Sequence, residues 1–228
     1  MNQELPSNRE GRERASSLDP RERPLVLVVD DDPDVRTSIE ELMLSVGIDA
    51  VGFASTRDLL GADFPARPGC LVLDVRMPGA SGLDLQQHLA AAGNAKPIVF
   101  LTGHGDIPMS VQAMKAGAVD FLTKPVRDQS LLDAVTTGIE RDVSQRVDAQ
   151  RAQEQAERYA TLTMRERQVL ERVARGRLNK QIAYELGISE VTVKLHRSSV
   201  MRKMEAGTVG ELIRAWDLLP ADLRQEQT

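Results

Sequence analysis

Five short apolar runs, each followed by a stretch of helical periodicity, restrict what the first 130 residues can fold into more than any other feature. The runs are Leu25–Asp30 (LVLVVD), Ile48–Phe53, Cys70–Asp74 (CLVLD), Ile98–Thr102 (IVFLT) and Val119–Leu122. Leu25–Asp30 is a continuous apolar run of the kind that a strand buried in a parallel sheet shows. Pro33 opens a helix whose inward face is Val35, Ile39, Leu42 and Met43, near a 3.6-residue period. Ser55 can cap a short helix. Further helices fit Leu83–Ala92, Pro108–Ala116 and the chain after Arg127. Strands alternating with helices predict an α/β fold, a doubly wound five-stranded parallel sheet.

The rest of the chain reads differently. After Leu131 a stripe of Leu132, Val135, Ile139, Val143 and Val147 continues into Gln-, Glu- and Arg-rich sequence, with no Gly or Pro over 140–160. A long linker helix is expected there, with a coiled coil as the weaker alternative because the heptads are not sustained. Four short helices follow at about 164–174, 179–186, 190–204 and 208–217. Asn179–Glu185, the turn Leu186-Gly187-Ile188-Ser189 and the helix from Glu190 form a helix-turn-helix pattern, with Gly187 permitting the turn and Ser189 capping the next helix. Val193, Val200 and Met204 face inward on that helix, which turns Lys194, Leu195, Ser198 and Arg202 outward at major-groove spacing. Asn179, Lys180, His196 and Arg197 are placed to hold phosphates, and Thr192 completes the candidate set.

Charge follows the same division. The net charge of −5 hides 8 Lys/Arg against 14 Asp/Glu over Pro24–Asp128, and 11 against 7 over Thr161–Asp217. An acidic first half and a basic last part fit one small acidic site and one anionic partner.

In an open parallel sheet the chemistry sits outside the C-terminal strand ends. Here those ends carry Asp30-Asp31, Asp74 and Thr102, with Lys124 just past the fifth strand. Strands lie about 4.8 Å apart, so the carboxylates converge and call for a cation. Mg²⁺ fits, because it takes one or two carboxylates and keeps positions for a phosphate. Lys124 and Thr102 suit phosphate oxygens, and Asp74, alone on its strand end, is the natural phosphoryl acceptor. Asp32 reads as the cap of the helix at Pro33.

Several classes are set aside. One cysteine, Cys70, excludes an internal disulfide and reads as a buried thiol. No signal-like segment and no run of about 18 apolar residues occurs, so a cytoplasmic protein without membrane attachment is expected. Residues 1–23 read as a disordered extension and 221–228 as a tail. Gly103-His104-Gly105 lacks the third glycine of a dinucleotide loop, and His88, His104 and His196 are too scattered for a metal site. A hydrolase with Asp74 as nucleophile would share this chemistry, but nothing supplies a cap or substrate pocket, so no enzyme is expected. A third class would use the last helices only as a protein-docking bundle.

The segments VVDDDPDVR, LVLDVRMPGASGLDL and FLTGHGDIPMSVQAMKAGAVDFLTKP closely resemble the receiver domains of bacterial two-component response regulators over about residues 24–140, and the last resembles the FixJ branch. The resemblance implies a flavodoxin-like fold of strand order 2-1-3-4-5, with Asp74 as phosphoacceptor. It implies Mg²⁺ held by Asp31, Asp74 and the backbone carbonyl of Arg76, with Asp30 acting through water. Thr102 and Lys124 would hold the phosphoryl group, and Phe121 stands at the aromatic switch position. LTMRERQVLERVARGRLNKQIAYELGISEVTVKLHRSSVMRKM resembles the LuxR/FixJ-type four-helix DNA-binding domain over about 161–220, beyond a linker at 141–160. Met164 stands where that family usually has Pro, and Ser198 where some relatives carry Lys. The implied partners are a sensor histidine kinase, double-stranded promoter DNA and, once phosphorylated, a second copy of the chain.

Overall fold

The computed structural model describes residues 23–78, 81–93, 96–103 and 106–225. The extension expected over 1–23, apart from Arg23, lies outside the described residues, as do His104, Gly105 and the last three residues. Two compact units divide after Gln145, each with its own core.

The first unit alternates strands and helices: β1 Leu25–Val29, α1 Pro33–Ser45, β2 Asp49–Phe53, α2 Thr56–Gly61, β3 Leu71–Leu73, α3 Gly82–Ala91, β4 Ile98–Thr102, α4 Ile107–Lys115 and β5 Asp120–Thr123. A final helix, α5, runs Asp128–Ala160. All strand pairs are parallel in the order β2-β1-β3-β4-β5, with Leu27 opposite Leu71 and Leu73 opposite Phe100. The period of two explains the unbroken runs. Leu25, Leu27, Val29, Leu73 and Phe100 pack with Leu59, Leu85 and Leu89 of α2 and α3. Val26, Val28, Val72 and Val99 pack with Ile39, Met43, Leu131 and Val135 of α1 and α5. Each face meets a helix layer, so neither can be polar.

Pro33 stands at the start of α1, and Asp32 caps it by accepting the Asp34 N–H at 2.9 Å. Three details depart from expectation. β3 spans only Leu71–Leu73, so Cys70 and Asp74 fall just outside it, although the Asp74 N–H still bonds to β1. β5 begins at Asp120, one residue later than expected. On α5 the expected stripe holds only in its first half. Leu131, Ala134, Val135, Gly138 and Asp142 are buried, whereas Val143 and Val147 are 42% and 41% exposed.

That buried line on α5 is closely fitted. A Cβ on Gly138 would lie 2.9 Å from the Cys70 Cβ and 3.2 Å from its sulfur. One turn on, the Asp142 carboxylate accepts the Gly69 N–H at 2.8 Å and meets the Lys96 ammonium at 3.5 Å.

The second unit contains the last turns of α5, then α6 Met164–Ala174, α7 Asn179–Leu186, α8 Glu190–Lys203, α9 Val209–Asp217 and a short helix, α10, at Ala221–Gln225. The sequence reading has no counterpart for α10. Thr163 and Glu166 form a reciprocal cap on α6. Gly187 ends α7 with φ 65°, a left-handed conformation that glycine adopts without strain. Ser189 then caps α8 by accepting the Thr192 N–H at 3.1 Å. Val193, Val200, Met204, Leu170, Ile182 and Leu212 fill the core. Trp216 packs against it, with its ring 6.2 Å from Tyr159. Among the described residues, no helix is long and apolar enough to cross a membrane.

Candidate functional site

The C-terminal strand ends bring together the groups that the sequence places there. Asp30 follows β1 and Asp74 follows β3, and a backbone bond from the Asp74 N–H to Val29 O at 2.9 Å holds the two ends in line. Asp30 and Asp74 are buried, while Asp31 is exposed. One carboxylate oxygen from each of the three lies within 4.8 Å of the others. Asp30 Oδ1 accepts the Asp32 N–H and Asp74 Oδ1 accepts the Arg76 N–H, each at 3.0 Å. These bonds fix both carboxylates with their second oxygens turned toward the shared space.

Lys124 closes the group. Its backbone N–H donates to Thr102 O at 2.9 Å, joining the ends of β4 and β5, and the Lys124–Pro125 peptide is cis. Its ammonium donates to Asp74 Oδ2 at 3.0 Å and to Asp30 Oδ2. Burial pushes the Asp30 carboxyl above its ordinary pKa, against the pull of the Lys124 ammonium. Burial would lower the Lys124 pKa, but hydrogen bonds to Asp30 and Asp74 outweigh it and hold the ammonium above its ordinary value. The lysine therefore stays charged at neutral pH.

Three carboxylates against one ammonium leave a deficit of positive charge that a divalent cation matches. Carboxylate oxygens gathered within 4.8 Å of one another are the donor set that a hard divalent cation takes. Thr102, 1% exposed, ends β4 beside this group. Phe121 is half-buried on β5, its ring 5.9 Å from that of Phe100. Arg76 is exposed. Sequence reasoning missed Arg36, whose guanidinium donates to the Asp30 carbonyl at 2.6 Å. Its signal was available: position 36 is one helical turn past the cap, on the side facing β1.

On the second unit, Val193, Val200 and Met204 are buried as expected, and Lys194, Leu195, Ser198 and Arg202 are exposed. Lys180 is exposed, whereas Thr192, His196 and Arg197 are half-buried. Arg197 donates to Asn179 Oδ1 at 2.9 Å, so these two candidates hold each other across α7 and α8. Thr192 Oγ1 lies 2.8 Å from Ser189 Oγ. Lys203 turns inward, donating to Glu166 Oε2 at 2.7 Å. Ser199 donates to the other oxygen of Glu166. Burial would raise the Glu166 pKa, but the bonds from Lys203, Ser199 and Thr163 hold it at about 2. A buried acid thus fastens α8 to α6, a role the sequence reading did not find.

Comparison with known proteins agrees with both halves of this picture. Residues 26–136 match the response regulator receiver domain, and 160–215 match the bacterial regulatory proteins of the luxR family. The chain is 50% identical over 195 residues to Nodulation protein W of Bradyrhizobium diazoefficiens, covering 86% of each chain. It is 45% identical over 189 residues to the transcriptional regulatory protein FixJ of Azorhizobium caulinodans, covering 83% of this chain and 90% of the relative. The solved structure of the response regulator StyR superposes with a TM-score of 0.73 at 45% identity, covering 86% of this chain and 98% of that one. The chain therefore belongs to the two-component response regulators that join a receiver to a LuxR-type helix-turn-helix domain, and it acts as a transcription factor.

Proposed function

We propose that Asp74 takes a phosphoryl group from the phosphohistidine of a sensor kinase, and that this modification drives pairing of two chains on promoter DNA. The observation that carries the reading is the ammonium of Lys124 shared between Asp30 and Asp74 at the strand ends. An Asp74 carboxylate oxygen attacks phosphorus, the P–N bond breaks as the P–O bond forms, and the imidazole leaves. The transfer is mostly positioning and charge neutralisation. Asp31, Asp74 and the Arg76 carbonyl would hold Mg²⁺, with Asp30 reaching it through water, and the ion supplies neutralising charge to the phosphoryl oxygens. Lys124, released from Asp74 once that carboxylate is esterified, pairs with a phosphoryl oxygen, and the Thr102 hydroxyl donates to another. Asp74→Asn keeps the size and removes the nucleophile. With acetyl phosphate and Mg²⁺, the wild type should gain acid-labile phosphate and the variant none; normal uptake by the variant would refute the assignment.

Inward movement of Thr102 and Phe121 would reshape the face of α4 and β5. α4 exposes Ile107, Val111 and Met114, at 79%, 45% and 45%, an apolar strip suited to a second copy. Full switching from 1:99 to 99:1 needs about 5.5 kcal/mol, so partial shifts are expected. Sedimentation with beryllofluoride and Mg²⁺ should show dimers, and an unchanged monomer that still binds DNA as before would sink the coupling. In this reading 24–140 is the receiver, 141–160 the linker helix and 161–220 the DNA-binding domain. Lys194, Leu195, Ser198 and Arg202 enter the major groove, while Asn179, Lys180, Thr192, His196 and Arg197 set the register on the phosphates. The protein works where its promoters are, in the cytoplasm.

A further inference from the structure

The outward face of α8 carries an apolar feature that phosphate contacts do not use. Val191 and Leu195 are 66% and 67% exposed on a helix whose other outward residues are polar. They stand four residues apart, so they are neighbours on one face. Lys194 and Ser198 continue that face at the third and seventh positions after Val191. A single exposed aliphatic residue is ordinary. A stacked pair of them beside a lysine, in the first turns of the helix after a helix-turn-helix bend, is a patterned surface. Valine is also a poor choice for an exposed helical position on propensity alone.

We infer that Val191 and Leu195 form an apolar pair that reads the C5-methyl groups of thymines in the major groove. The inference rests on the DNA-binding reading above. N-terminal residues of a recognition helix are the ones that meet base edges, and thymine is the base that offers a methyl there. Four residues of helix advance about 6 Å, close to two base-pair steps of about 3.4 Å. The pair therefore spans two A·T pairs about two steps apart, and Lys194, between them in sequence, meets the acceptor edge of a guanine.

The test uses the full chain with beryllofluoride and Mg²⁺. Selection from random-sequence duplexes supplies a probe, and each thymine of one half-site is replaced by deoxyuridine, which removes only the methyl. One such replacement should weaken wild-type binding about fourfold, the factor for one methyl-sized group at about 0.8 kcal/mol. The same replacement should cost Val191→Ala nothing, and a different thymine should lose its effect in Leu195→Ala. Trp216 fluorescence melts, read beside each variant, establish that the unit is folded. Val191→Ala with wild-type affinity and the wild-type pattern of deoxyuridine losses overturns the inference and leaves the DNA-binding reading standing. A selection that enriches no sequence overturns the DNA-binding reading itself.

Discussion

Glu166 offers the sharpest quantitative test of how α8 is held. Its carboxylate is 5% exposed and accepts bonds from Lys203, Ser199 and the Thr163 N–H, tying the cap of α6 to the last turns of α8. Holding its pKa at about 2 instead of 4.5 corresponds to about 3 kcal/mol at 1.36 kcal/mol per pH unit. Solvent around Lys203, whose side chain is 26% exposed, reduces this to about 2 kcal/mol. Because the folded pKa is depressed, the stabilisation is fully present above about pH 4.5 and is lost as pH falls toward 2. Glu166→Gln keeps the shape and removes the charge, so at pH 7 it should lower the melting temperature of this unit by about 10 °C. More than half of that difference should vanish by pH 3. Trp216 is the only tryptophan and packs on this core, so its fluorescence follows the unit directly. Equal melting of the two proteins at pH 7, or a difference that does not change between pH 7 and 3, would refute the reasoning.

Other expectations are simpler. Lys194→Ala should weaken specific binding by about 1–3 kcal/mol if the side chain reads a base edge, and unchanged affinity would remove it from the interface. Lys180→Ala should weaken binding to all duplexes alike and flatten the salt dependence by about one unit, which titrations at several salt concentrations measure. Gly138→Val would push a branched side chain into Cys70, already within 3.2 Å of a bare Cβ. Overpacking should cost about 2–3 kcal/mol in denaturant unfolding followed by circular dichroism, and a variant as stable as the wild type would contradict the close approach.

The parts of the fold that were legible in the sequence are those with a strong period. LVLVVD and IVFLT could only be doubly covered strands, and Asp30, Asp74 and Lys124 followed from where such strands end. The pattern around Gly187 and Ser189 was equally plain, because each residue there answers a specific backbone need. What escaped notice were polar residues doing interior work. Asp142 falls in a polar stretch, yet it lies three and four residues beyond Ile139 and Gly138, on the side of α5 that faces the sheet. A charge on a core line is a signal for a buried partner, and apolar spacing alone pointed instead to Val143, which is exposed. Glu166 looked like one more surface acid of a charged helix, because its partners Ser199 and Lys203 lie more than thirty residues away. Long-range pairings of this kind carry no local pattern.

The fit of α5 over Cys70 has a consequence for dissecting the chain. The receiver match ends at residue 136, but Gly138 covers the Cys70 thiol and Asp142 receives Gly69 one turn further on. A fragment cut at 136 would unroof that thiol and strip Gly69 of its acceptor, whereas one carried through Gln145 keeps both. In the intact chain the thiol is wholly shielded and burial pushes its pKa up to about 12, so alkylating reagents should reach it only while the fold is locally open. Cys70 is thereby a built-in chemical gauge: the rate at which it can be labelled reports how often the last receiver helix lifts from the sheet.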